Sequence, residues 1–244
     1  MFNQSIQEFV EAVSPQMNIW HNTTRKGDTG AGHTCETIIF GKEEDNKSLA
    51  DFMGFECKSV LATSKNARVR LLNFAGGAEA ELCKRFGKVS PTRGYNSFTR
   101  QLRCNKPIRA NGSSIALVIE DNELSLLVDG QERVGEWLVD APGRSIATKV
   151  ADKIADMALI RYEKRVQDGL QQYRYTGVDF HTGLSLPRLI TAFGAQHIAV
   201  EFRYTDKKDY GTSFNMSMRH MEGYWPHHTT VTWGDGPPRL TARR

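Results

Sequence analysis

"DFMGFECKS", Asp51 to Ser59, is the stretch on which the reading of this chain turns. Phe55 and Cys57 alternate with Glu56 and Lys58, the period-two pattern of a strand with one face buried. Glu56 and Lys58 must then share the other face. Asp51 precedes Glu56 with four residues between them, mostly apolar. Two carboxylates brought together repel unless a cation lies between them, and hard oxygen ligands suit Mg²⁺, with waters and a phosphate oxygen completing its shell. Asp51 and Glu56 are candidate metal ligands on that ground. A lysine beside such a pair can hold or help deprotonate an attacking water and can offset charge building on a phosphate. A strand whose alternate residues merely face water gives the same D…ExK pattern, so the surrounding sequence has to decide.

Upstream, "RKGDTGAGHT" (Arg25 to Thr34) almost spells a nucleotide phosphate loop, with Gly27, four residues, Gly32, then His33 where that motif needs Lys. A working loop needs the lysine to reach the outer phosphates and lies between a buried strand and a helix. The residues before Arg25, "NIWHNTT", are polar. No nucleotide cofactor is expected; the glycines suit a turn before a helix. In "HTCETIIFGKEED", Cys35, Ile38 and Ile39 form a narrow apolar face, which predicts a helix over about residues 32–44 carrying Glu36.

Outward from there the chain alternates helical and strand patterns, which predicts an α/β protein. Helices are expected over 4–14, 79–86 and 146–157 and in "SLPRLITAF". Strands are expected in "ARVRLLNF", as partner of the Asp51–Ser59 strand, in "ALIRYEKRV", "QQYRY", "HIAVEFRYT" and "TSFNMSM", and in an antiparallel meander over 115–137 turning at Asp121-Asn122 and Asp129-Gly130. The tail "GDGPPRLTARR" lacks apolar periodicity and is expected to be loosely ordered.

The totals exclude several classes. At 244 residues, 39% hydrophobic and 25% charged, the chain can bury a core as one large domain or two lobes. Net charge +4 is mild and identifies no nucleic-acid binder by itself. No charged-then-apolar leader, membrane-length apolar run or lipidation signature is visible, so no membrane association and a cytoplasmic location are expected. Cys35, Cys57, Cys83 and Cys104 lack the paired spacing of a zinc site and read as buried free thiols. His227 and His228 point to opposite sides of an extended segment, and their tail position favours exposure over metal binding.

A helix carrying Glu36 followed by a strand carrying an acidic and basic pair resembles the core of the PD-(D/E)xK nucleases. Together, "RKGDTGAGHT", "KEEDN", "DFMGFECKS", "RFGKVSP", "QYRY" and "YGTSF" resemble the MvaI/BcnI family of type II restriction endonucleases, which is related to the mismatch-repair nicking enzyme MutH. The resemblance implies a restriction-endonuclease-like mixed central sheet with flanking helices, divided into a catalytic lobe (mainly 1–110) and a remaining sheet and DNA-recognition lobe (111–244), with a soft boundary and lobes free to interleave. It places Asp51, Glu56 and Lys58 on the family's Asp-x4-Glu-x-Lys catalytic positions and Glu36 where MutH-like enzymes keep a helix carboxylate near the metal.

The implied function is hydrolysis of double-stranded DNA at a short specific sequence with Mg²⁺, for which Mn²⁺ can substitute, by a monomer paired with a cognate DNA methyltransferase. Arg25 and Lys26 are expected on DNA phosphates, while in "KVSPTRGYNSFTRQLR" Lys88, Arg93, Arg100 and Arg103 mixed with Tyr95 and Phe98 suit either a grip on the DNA backbone or a solvated charged face. The turn "RYTDKKDYGTSFN" is the expected base-reading element, with Arg203, Lys207, Lys208, Tyr210 and Asn215 as candidates. Here the relatives carry a longer, more basic turn, so no recognition sequence carries over. A MutH-like nicking enzyme, an inactive sequence-specific DNA binder and a small-molecule enzyme using the glycine loop remain the alternatives.

Overall fold

The computed structural model describes residues 4–23, 25, 27, 29–42, 51–74, 79–92, 94–120, 123–138 and 145–243. In chain order the elements begin with α1 (Gln4–Val13), β1 (Trp20–Asn22) and α2 (Gly30–Thr34), whose last turn widens into a π-helical turn over Cys35–Ile39. Next come β2 (Glu56–Leu61), β3 (Arg68–Phe74), α3 (Glu79–Phe86), β4 (Lys88–Val89) and β5 (Asn96–Leu102). The meander is β6 (Ile108–Ala110), β7 (Ser113–Glu120), β8 (Glu123–Val128) and β9 (Glu132–Leu138). After α4 (Ile146–Lys149) and a second π turn, Val150–Ile154, follow β10 (Met157–Gln167), β11 (Leu170–Thr182), α5 (Leu186–Gly194), β12 (Ile198–Thr205), β13 (Lys208–Ser217), α6 (Met218–Met221), β14 (His227–Thr232) and β15 (Arg239–Arg243).

Two compact units share this chain. The first comprises Met1–Ala67, Asp152–Leu184 and Met221–Arg244, and the second comprises Arg68–Ala151 and Ser185–His220. The units interleave, residues 152–184 and 221–244 returning to the unit that holds Asp51.

In the first unit a sheet runs β15-β14-β11-β10-β2, with β1 also paired to β11. β2 and β10 are parallel while the other pairs are antiparallel, so the sheet is mixed. α1 lays Ile6, Phe9, Val10 and Val13 on one sheet face, against Cys57, Ala158, Ile160, Val178 and Phe180. Phe9 contacts the rings of Phe40, Phe52, Phe55 and Phe180 edge-on, with centroids 5.1–6.0 Å apart. Burying one such ring contributes roughly 1.5–3 kcal/mol, which makes this cluster the anchor of the sheet.

The second unit holds an antiparallel sheet β3-β13-β12-β5-β4 and the four-stranded meander β6-β7-β8-β9. The expected pairing of "ARVRLLNF" with the Asp51–Ser59 strand is corrected: β3 pairs with β13, and β2 takes β10 as its neighbour. Period-two alternation fixes which face a strand buries but not which strand lies beside it. The tail is corrected as well. Residues 239–243 form an edge strand on β14, held by main-chain bonds that leave Leu240 38% exposed and so leave little apolar trace in the sequence.

Helix 79–86, the meander and its Asp129-Gly130 turn appear as expected, both turn residues taking positive φ (51° and 76°). The expected turn at Asp121-Asn122 lies outside the described residues. All four cysteines are buried and free.

Candidate active site

The four residues between Asp51 and Glu56 form a tight reversal. Phe52 and Phe55 exchange main-chain hydrogen bonds of 3.1 and 2.9 Å around Met53 (φ 48°) and Gly54 (φ 84°), the signature of a type I′ turn. The turn folds Asp51 back onto the first residues of β2, where its Oδ2 accepts the Cys57 amide at 3.1 Å. Phe52 stacks on Phe40 at 4.6 Å, so the apolar spacers of the motif moor the turn to the core while the carboxylates face away.

On the sheet face opposite α1, Lys58 donates to Oε1 of Glu56, and its Nζ lies 3.6 Å from Oδ2 of Asp51. Glu56 is 1% exposed, whereas the side chains of Asp51 and Lys58 are 27% and 33% exposed. The parallel pairing brings the Glu56 amide to the Asp156 carbonyl at 2.9 Å, and the π turn just before it puts Lys153 Nζ 3.2 Å from Oε2 of Glu56. That contact is an ion pair without hydrogen-bond geometry, and Oε2 has no hydrogen-bond partner among the described residues. Burial pushes the Glu56 carboxyl above the usual carboxylate range against the pull of Lys58. Burial also works to lower Lys58, but Glu56 and Asp51 outweigh it and hold the ammonium charged.

A buried carboxylate oxygen left without a hydrogen bond, beside a second, half-exposed carboxylate, is a donor set suited to a hard divalent cation. Among the described residues no three or more His, Cys, Asp or Glu side chains gather round one point, so waters and a substrate oxygen would have to complete the shell.

Glu36 sits in the π turn of Cys35–Ile39, half-buried, on the segment that packs Cys35 beside Cys57. π turns within helices are frequent at functional sites. The glycine-rich stretch has an internal explanation. A Cβ on Gly30 would meet the Arg25 carbonyl at 2.6 Å and the Tyr173 hydroxyl at 2.7 Å, and Tyr175 donates to the Ala31 carbonyl at 2.6 Å. "QYRY" is therefore the clamp on "RKGDTGAGHT". Gly27 takes positive φ (96°) at an exposed position, and Arg25 beside it is exposed. Lys26 and Arg93 lie outside the described residues.

In the second unit Arg203, Lys207, Lys208 and Tyr210 gather at the exposed β12–β13 hairpin. The Arg203 guanidinium lies 5.1 Å and Lys208 Nζ 5.0 Å from the centre of the Tyr210 ring, both within cation–π range. Asn215 is corrected: it is 5% exposed and turns its amide onto Ser213, so the hairpin does not present it. In the same motif, Thr212 donates to buried Glu79, and a Cβ on Gly211 (φ 75°) would meet the Phe74 carbonyl at 2.5 Å. "YGTSF" is largely structural.

His228 is also corrected. It is 9% exposed and stacks on His181 at 4.6 Å, because β14 lies against β11 rather than in a free tail. Neither this cluster nor Lys153 was visible in the sequence; both depend on which strands become neighbours, and no local pattern reports that.

The model of the MvaI/BcnI restriction endonuclease family matches residues 11–223. Among solved structures, the restriction endonuclease MvaI–cognate DNA substrate complex is similar with a TM-score of 0.77, 22% identity and 99% of each chain covered. MvaI in the absence of DNA is similar with a TM-score of 0.51, 19% identity, 99% of this chain and 98% of that chain covered. No curated protein sequence matches.

Proposed function

The chain belongs to the MvaI/BcnI restriction endonuclease family, and from that premise we propose that it is a Mg²⁺-dependent type II enzyme cutting double-stranded DNA at a short specific sequence. The observation that carries the chemistry is the meeting of Asp51, Glu56 and Lys58 on one sheet face, with a buried oxygen on Glu56 that is ion-paired to Lys153 but accepts no hydrogen bond among the described residues.

In this reading Asp51 and Glu56 would hold the divalent cation, Mg²⁺ or Mn²⁺, and the catalytic role of Glu36 rests on the family resemblance. The ion when bound supplies Lewis-acid stabilisation of the phosphate and lowers the pKa of water. The ammonium of Lys58 lies over the carboxylate pair, positioned to orient the attacking water and to neutralise charge growing on the non-bridging oxygens. Water adds its oxygen to phosphorus, one P–O ester bond breaks, and the leaving oxygen takes up a proton. No covalent intermediate is formed and no nucleotide cofactor takes part.

The first unit is the catalytic lobe and the second the DNA-recognition lobe. Arg203, Lys207, Lys208 and Tyr210 reach the bases or their phosphates, with Arg25 gripping backbone near the site. The MvaI complex, similar in fold, is named as holding cognate DNA, which supports duplex DNA as the partner here. We assign the enzyme to the cytoplasm as a monomer, with a cognate methyltransferase protecting host DNA.

The test is incubation of phage DNA with purified protein and Mg²⁺, followed by sequencing of fragment ends. Discrete fragments sharing one end sequence are expected. Intact DNA, or ends without a common sequence, would contradict the reading.

A further inference from the structure

Arg161 is the side chain that the catalytic assignment leaves unused. Its neighbours in β10, Ala158 and Ile160, face α1, so Leu159 and Arg161 face the same side of the sheet as Glu56 and Lys58. Lys58 is in register with Leu159, and Arg161 is two residues further along β10. A strand spacing of roughly 4.8 Å and a rise of roughly 3.3 Å per residue put the Cα atoms of Lys58 and Arg161 about 8 Å apart. That is comparable with the step between neighbouring phosphates on one DNA strand.

The arginine is held rather than loose. It lies opposite Gly177, and its stem runs toward β11 within van der Waals reach of that position, 3.7 Å from Cδ to where a Cβ would stand. There Nε donates to Oδ2 of Asp179 at 2.5 Å. Asp179 is 2% exposed and is itself fixed by Thr230, which donates to Oδ1 at 2.7 Å, with His228 Nε2 at 3.8 Å. The side chain of Arg161 is 36% exposed, and its two terminal nitrogens make no hydrogen bond or ion pair among the described residues. A guanidinium clamped through Nε and open at both Nη atoms is preorganised for the fork-shaped recognition of a phosphate.

We propose that Arg161, oriented by Asp179, grips the backbone phosphate adjoining the one that Asp51, Glu56 and Lys58 address. Its role is binding and register: it fixes the strand so that the reacting phosphate meets Lys58. This rests on the nuclease reading above.

The experiment measures binding of a short synthetic DNA duplex in Ca²⁺ as a function of salt, with cleavage of phage DNA in Mg²⁺ alongside. Three proteins are compared: the unaltered chain, Arg161→Lys, and the double variant Arg161→Met with Asp179→Asn, which leaves no unpaired buried charge. Thermal melts confirm that each is folded. Loss of one phosphate contact flattens the slope of log K against log salt by about 0.9. The double variant should show that change and bind roughly tenfold more weakly. Arg161→Lys should keep the slope and lose part of the affinity. Unchanged slope and affinity in a folded double variant would overturn the proposal and leave Arg161–Asp179 as a structural pair. If the unaltered protein neither binds nor cuts DNA, the nuclease reading fails and this inference fails with it.

Discussion

Asp51, Glu56 and Lys58 crowd two carboxylates and one ammonium into a site where Glu56 is almost wholly withdrawn from water. Such crowding costs folding energy, and a cation and a phosphate would relieve it. Asp51→Ala, Glu56→Gln and Lys58→Met should each lower the single-turnover cleavage rate by at least about 10²–10³-fold, while duplex binding in Ca²⁺ stays within a few-fold. Retained cleavage in any of them would remove that residue from the chemistry.

The second residue-scale expectation concerns acid. Burial first, and then His228, lowers the pKa of His181 to about 4. Unfolded, this imidazole takes a proton near its ordinary 6.5. The stability it contributes is therefore present above about pH 6.5 and is lost as pH falls toward about 4, on the order of 3 kcal/mol in all. Asp179, held down to about 2 by His228, Arg161 and Thr230 against its burial, adds a further loss below the ordinary carboxylate range. Melting temperature against pH should show the first step clearly, and His181→Asn should flatten it.

At the scale of elements, the alternation in "DFMGFECKS" made the strand and its polar face legible, and the apolar spacers pointed correctly to a buried side. What the sequence did not carry was the I′ turn that folds Asp51 back, since Met53-Gly54 is no stock turn pair, nor the parallel partner β10 that delivers Lys153. The segments that resemble the family do different things in the fold. "QYRY" and "YGTSF" pack the fold, while the acidic and basic residues of "DFMGFECKS" make the proposed site. Gly211→Ala should accordingly destabilise the protein by about 2 kcal/mol or more, through positive φ and the close Phe74 carbonyl. Phe9→Ala should cost about 3–5 kcal/mol by emptying the centre of the aromatic cluster. Thermal or denaturant unfolding checks both.

At the scale of the molecule, the α/β class, the mixed sheet and the existence of two parts followed from pattern and resemblance. The resemblance left the lobes free to interleave, but where the chain crosses was not legible: it returns to the first unit after residues 68–151 and again after residues 185–220, and no local pattern marks those crossings. Net charge +4 was equally mute, since 28 acidic residues offset most of the 32 basic ones, and what matters is where the basic ones are presented. The β12–β13 hairpin is one such place. Replacing Arg203, Lys207 and Lys208 together by Ala should weaken duplex binding and flatten its salt slope by up to about 2.7 if all three reach phosphates. Unchanged binding would remove the hairpin from the DNA interface.

The central claim is that the Asp51–Glu56–Lys58 face hydrolyses DNA. The most direct measurement places the unaltered protein and Asp51→Ala side by side on phage DNA in Mg²⁺, with binding of the same DNA in Ca²⁺ as control. Discrete fragments from the unaltered protein alone, with both proteins bound in Ca²⁺, are the expected result. Equal cleavage by both, or DNA bound by both and cut by neither, would contradict the claim.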